Sequence, residues 1–151
     1  IVLSHFNFCD VLYNACIDQH DAKRIQKVQN SCLRLIHGIR RGKGTSHKLV
    51  QTNWLNMKDR RVLHSACFYH KVVTMKVPMN LYNKISFRHY VHSVNIRSKT
   101  TITPPAHHTA LFERSFSYNI SKIYNSVPQS LKSKSLNTFA QDYAMLLKSH
   151  Y

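Results

Sequence analysis

The sequence predicts an all-α, mainly helical fold with four or five main helices and at most one short β-hairpin. Three observations carry that expectation. Apolar residues recur at helical spacing in several long stretches. Good capping residues stand at the heads of those stretches, and Pro78 and the pair Pro104-Pro105 fall where the periodicity stops.

Residues 1–19 read as helical and apolar almost all round, with the regular part expected over about 10–17. Asn7, Asp10, Asn14 and Asp18 share one narrow polar stripe, the pattern of a mostly buried helix. The second helix is expected over 22–37, with Asp21 as its N-cap and Gly38 as its stop. At about 100° per residue, Ile25, Val28, Cys32, Leu35 and Ile36 share one arc, predicted to be buried. Lys23, Lys27, Asn30 and Arg34 fall opposite.

A short helix is expected over 46–51. A central helix follows over 57–76, headed by the capping pair Asn56 and Asp59. Its apolar residues, among them Ala66, Phe68, Tyr69, Val72 and Val73, nearly encircle the axis, so it should be the most buried helix. Arg60, His64 and Lys71 form its single polar stripe, expected to face solvent or a ligand. Residues 78–110 read as an irregular basic connection. Leu81 to Phe87 suggest a turn of helix, and the alternation around Val94, Ile96 and Ile102 suggests the hairpin. Helical stretches then cover about 117–125, within a pattern starting near Leu111, and 136–147 behind a cap at Ser135 or Asn137.

The chain has 151 residues, enough for one domain with a real core. Its formal charge of +16 comes from 22 basic against 6 acidic residues, with 11 histidines besides. Three of the acids lie in the first 21 residues, a segment without Lys or Arg. Self-repulsion of that size weakens a compact state unless a polyanion neutralises it, and phosphate neutralisation is what drives nucleic-acid binding. The stretch 21–61 concentrates the effect, with eleven Lys or Arg residues against Asp21 and Asp59. Arg40, Arg41, Lys43 and Lys48 carry the charge past the helix into a loop made pliable by Gly42 and Gly44. A membrane partner is disfavoured, since no run reaches 18 apolar residues and no signal-peptide pattern stands at the start.

Catalytic readings find little support. Two-metal polymerase or nuclease chemistry needs clustered carboxylates, and the six acids are never adjacent. Cys9, Cys16, Cys32 and Cys67 form no Cys-x-x-Cys pair and read as buried reduced thiols. His107-His108 lack a nearby cysteine or carboxylate in sequence and read as part of a basic loop. The glycines fit neither phosphate-loop pattern. No cofactor and no metal site is expected. Trp54, Phe68, Tyr69, Tyr82, Phe87 and Tyr90 lie among the cations, as base-stacking aromatics do, but most are expected in the core.

The order SHFNFCDVLYNAC, RIQKVQNSCLRLIHGI, WLNMKDRR and SFSYNISKIYNSVPQSLKS-x-SLNTF resembles the C-terminal region of reverse transcriptases. The enzymes concerned are RNA-directed DNA polymerases encoded by jockey-like non-LTR retrotransposons, a class of transposable element. The resemblance spans essentially all 151 residues. Its most specific parts are QN-x-x-LR-x-I-x-G at 29–38 and WLN-x-x-x-RR at 54–61. Tyr124 departs from the pattern, standing where the family often has Trp.

In that family this region follows the palm and begins about where the thumb begins. The palm's aromatic-Ala-Asp-Asp turn is not found here. The resemblance therefore implies a non-catalytic thumb portion that grips RNA template, RNA–DNA hybrid or DNA through the phosphate backbone and docks on a palm. It also implies an intracellular protein, nuclear or cytoplasmic. The absence of an initiator Met suggests a fragment of a longer polymerase, a decayed or truncated copy. By matching motifs, Lys23, Arg24, Lys27, Arg34, Arg40, Arg41, Arg60 and Arg61 are the expected backbone contacts, and the loop charge adds Lys43. Two alternatives stay open: a helical protein-interaction module whose charge serves only solubility, and a membrane-surface helix built on 21–41.

Overall fold

A computed structural model describes residues 2–88 and 101–149. Among the described residues it contains ten helices and one two-stranded antiparallel pair, so the mainly helical expectation holds. The helices are α1 Val2–Asn7, α2 Asp10–Tyr13, α3 Gln19–His37, α4 Ser46–Gln51, α5 Met57–Met75 and α6 Met79–Tyr82. After β1 Ser86–Phe87 and β2 Ile102–Thr103 come α7 Ala110–Glu113, α8 Phe116–Ser126, α9 Gln129–Lys132 and α10 Leu136–Lys148.

The central helix α5 is the axis of the fold, with α2, α3, α8 and α10 arranged against it. Seven of its residues are buried, from Met57 to Val72. Its start follows the capping logic of the sequence: Asn56 accepts from the Asp59 amide at 2.8 Å, and its amide group donates back to the Asp59 carboxylate at 2.9 Å. Ala66 and Tyr69 of α5 meet Ile120 and Tyr124 of α8, and Phe139 and Tyr143 of α10, in the main apolar core. Aromatic rings supply much of that core, with Tyr69 and Tyr124 centroids 5.3 Å apart and Phe139 stacked on His70 at 4.1 Å. Full burial of such large side chains contributes about 1.5–3 kcal/mol each.

His70 is buried, and the structure satisfies both of its ring nitrogens. Nε2 lies 3.0 Å from the Lys134 carbonyl, which can only accept, so Nε2 carries the proton and Nδ1 accepts from Tyr124 Oη at 3.1 Å. The small sheet is tied in by Asn125, whose side chain bonds both the amide and the carbonyl of Ile102, at 3.0 and 2.8 Å. β1 and β2 pair Ser86 with Thr103 and Phe87 with Ile102. Val94 and Ile96, on which the expected hairpin partly rests, lie outside the described residues, as does Tyr90.

Several expectations are corrected. The N-terminal segment is two short helices, because Cys9 takes a left-handed conformation with φ 52°. The cap of α3 is Asp18, whose carboxylate accepts from the Asp21 amide at 2.7 Å, so the helix begins one turn earlier than expected. Gly38 does end α3, at φ 62°, where a side chain would be strained. The stretch from Leu111 splits into α7 and α8, each with its own capping residue, Thr109 and Ser115. All four cysteines are free, but Cys9 and Cys16 are exposed and Cys32 and Cys67 half-buried. Burial pushes the Cys67 thiol up to about 11.

Candidate nucleic-acid interface

The basic stretch is held by an amide clamp. Gln29, fully buried on α3, donates to the Leu55 carbonyl at 2.8 Å and accepts from Gln26 at 2.8 Å. Gln26 also accepts from the Met57 amide at 2.9 Å. Both amides thus fasten α3 to the entrance of α5, and Leu33 supplies the adjacent apolar contact. A satisfied amide loses little on burial, whereas an unpaired one would cost about 1–3 kcal/mol.

That clamp overturns the predicted buried arc. The buried axis of α3 runs through Gln29 and Leu33, about 90° around the helix from the centre of the arc at 100° per residue. Ile25 and Cys32 are half-buried, but Val28, Leu35 and Ile36 are exposed. The outward face therefore mixes apolar side chains with Lys27 and Arg24 rather than separating the two. The signal was present in the spacing of Gln26, Gln29, Asn30 and Leu33, but apolarity alone passes over amides.

Lys23, Arg24, Lys27, Arg40, Arg41 and Lys43 are all exposed. Arg24 reaches Asp21 at 3.2 Å, a surface pair of little energetic weight. Arg34 is half-buried. Its Nη2 donates to the Lys43 carbonyl at 3.3 Å, bracing the loop, and its Nε is buried without a partner. Gly42, at φ 91°, lets the loop turn between Arg41 and Lys43.

Arg60 and Arg61 do not join this group. Arg60 Nε donates to Asn7 at 2.9 Å. Arg61 is only 3% exposed, and its Nε donates to Asn14 at 3.2 Å, so it cannot serve as a backbone contact in this structure. His64 Nδ1 meets the buried Asp10 carboxylate in the same layer. The polar stripe of the N-terminal segment and the stripe of α5 thus face one another, against the expectation that the α5 stripe faces solvent or a ligand. Burial lowers the Arg61 pKa, with Tyr13 and Asp10 acting the other way. On the outer side of the N-terminal segment two large apolar side chains stand in solvent, Phe8 at 79% exposure and Leu12. Of the α5 cations in the predicted stripe, Lys71 alone is exposed.

The carboxylates are dispersed and engaged. Asp10 meets His64, Asp21 meets Arg24, Glu113 meets His107 at 2.9 Å, and Asp142 meets Lys134 at 2.6 Å. Asp18 caps α3 and Asp59 is bonded to Asn56. Glu113 gives His107 the carboxylate partner that sequence proximity did not suggest. Asp18, His20 and Asp21 bring three donor atoms within 4.8 Å of one another, all exposed. They stand at the positive end of the α3 dipole, which opposes a cation. No helix among the described residues is long and apolar enough to cross a membrane. Comparison with protein-family models, curated proteins and solved structures finds no match.

Proposed function

We propose that this chain is a nucleic-acid-gripping thumb portion of a non-LTR retrotransposon reverse transcriptase, working on RNA template or RNA–DNA hybrid through the phosphate backbone. The observation that carries this reading is the run from 22 to 58. It holds nine Lys or Arg residues and no acid, and six of those cations stand exposed along α3 and the loop after it. A face that served only solvation would mix both signs. The proposed contacts are Lys23, Arg24, Lys27, Arg34, Arg40, Arg41 and Lys43. Arg60 and Arg61 are reassigned to holding the N-terminal segment on α5.

The chain would not synthesise DNA alone, because its carboxylates are single and each is committed elsewhere. A palm domain is the natural partner, and exposed Phe8 and Leu12 favour the N-terminal segment as its docking side. The proposed setting is nuclear or cytoplasmic, where such templates occur. The test is direct binding of the purified chain to a labelled RNA–DNA hybrid across a salt series. Affinity that falls steeply with salt supports the reading; affinity that is absent at low salt removes it.

A further inference from the structure

The outward face at the C-terminal end of α3 holds a groove of about 580 Å³ lined by Ser31, Arg34, Leu35, Gly38, Ile39 and Arg41. Its composition is unusual for a surface that only attracts phosphates. Leu35 is 86% exposed, and Ile39, half-buried, continues the apolar floor. Arg34, half-buried, and Arg41, exposed, also line it. Arg34 Nη2 donates to the Lys43 carbonyl at 3.3 Å, which ties that side chain to the loop, and its Nε is shielded from solvent. The volume lies in the range of sites that hold small molecules or single residues of a polymer.

We infer that this groove receives one unpaired nucleotide of the bound strand, its base laid on Leu35 and Ile39 and its phosphate held by Arg34 and Arg41. The inference rests on the nucleic-acid reading above and adds a preference for single-stranded over fully paired substrate. Three physical points favour it. Paired bases are stacked within the helix, so an apolar floor can receive only a base that has left its stack. Leucine and isoleucine are among the apolar side chains that meet base faces where a stack has been opened. Arginine supplies both a bidentate phosphate contact and a flat face for stacking. The end of α3 carries partial negative charge, so the phosphate must sit on the two guanidinium groups and not on the backbone. Charge complementarity then selects the occupant, since the residues lining the groove include two arginines and no acid.

The experiment compares a short single-stranded RNA, the same RNA made abasic at every position, and a fully paired hybrid of equal length. Wild-type chain should bind the RNA about five- to tenfold more tightly than its abasic form, the effect of one base contact. The double variant Leu35→Ser/Ile39→Ser should lose that margin while keeping its salt dependence and its affinity for the paired hybrid. Circular dichroism establishes that the variant is folded; both side chains lie outside the apolar core, so folding should survive. Binding of all three substrates with equal affinity by wild-type chain would overturn the groove assignment and leave the phosphate reading standing. No binding to any of them at low salt would overturn both. Anionic phosphatidylserine vesicles form the last arm: tighter binding to vesicles than to RNA, lost in the same variant, would assign the groove to a membrane surface and overturn the nucleotide.

Discussion

Arg61 Nε lies 3.2 Å from Asn14 Oδ1, joining α5 to the turn after α2 inside the protein. The guanidinium sits in a layer with Asp10 and His64, and its Nη1 is buried without a partner. Arg61→Ala should therefore act on stability. Loss of the guanidinium leaves Asn14 Oδ1 without its donor and removes a positive charge near the buried Asp10 carboxylate, at a cost of about 2–4 kcal/mol. Urea unfolding should show the lower midpoint, while the folded variant keeps the wild-type salt dependence of RNA binding. A flattened salt slope with unchanged stability would place Arg61 back among the phosphate contacts.

The corrected face of α3 separates two substitutions that the apolar pattern would treat alike. Leu33→Ala should cost about 2–5 kcal/mol, since that side chain is fully buried beside the Gln29 clamp. Val28→Ala, at a 42% exposed position, should shift stability by less than about 0.5 kcal/mol. Equal losses in thermal unfolding would mean that the clamp does not set the orientation of the helix.

Acid should weaken the fold through His70. Burial lowers its pKa, opposed in part by the Lys134 carbonyl bond. A His with a lowered folded-state value binds fewer protons folded than unfolded, so stability rises with pH across that gap. The contribution is complete above the ordinary value of about 6.5 and is lost as pH falls through the folded-state value below it. The His70→Gln variant should be less stable at pH 7 and should show a smaller drop on acidification than wild type. Identical drops in both proteins, measured as unfolding midpoints from pH 7 down to pH 5, would exclude His70 as the sensor.

Purified chain supplied with primed RNA, nucleotides and magnesium or manganese should incorporate nothing. The reason is the one-by-one commitment of the carboxylates, with Asp10 on His64 and Asp142 on Lys134. Template-dependent incorporation surviving removal of host polymerases would refute this.

The legible part of the fold was the part governed by local rules. Asn56 and Asp59 head α5 as their spacing implies, Gly38 stops α3, and Ser135 caps α10. What stayed hidden depends on interactions between distant residues. Gln29 is buried because Leu55 and Gln26 satisfy it, and nothing local announces that. The polar stripes through Asp10 and through His64 each look open to solvent when taken alone; only their meeting across a sequence separation of 54 makes burial tolerable. For the same reason Arg60 and Arg61 look equivalent to Arg40 and Arg41 in sequence, although Asn7 and Asn14 claim the first pair. Charge put the six exposed cations at the surface, but it put Arg61 there equally, and Arg61 is 3% exposed.

Phosphate gripping by the α3 face and its loop is tested most directly by log affinity for an RNA–DNA hybrid against log salt. The proteins to compare are wild type and a Lys27→Gln/Arg40→Gln/Arg41→Gln triple variant. All three side chains are exposed, so circular dichroism should be unchanged. If each cation neutralises one phosphate, the slope should flatten by about 2.7 in total, at about 0.9 for each phosphate left unneutralised. A still-helical variant with the wild-type slope would show that this face is only solvated, and would contradict the phosphate grip.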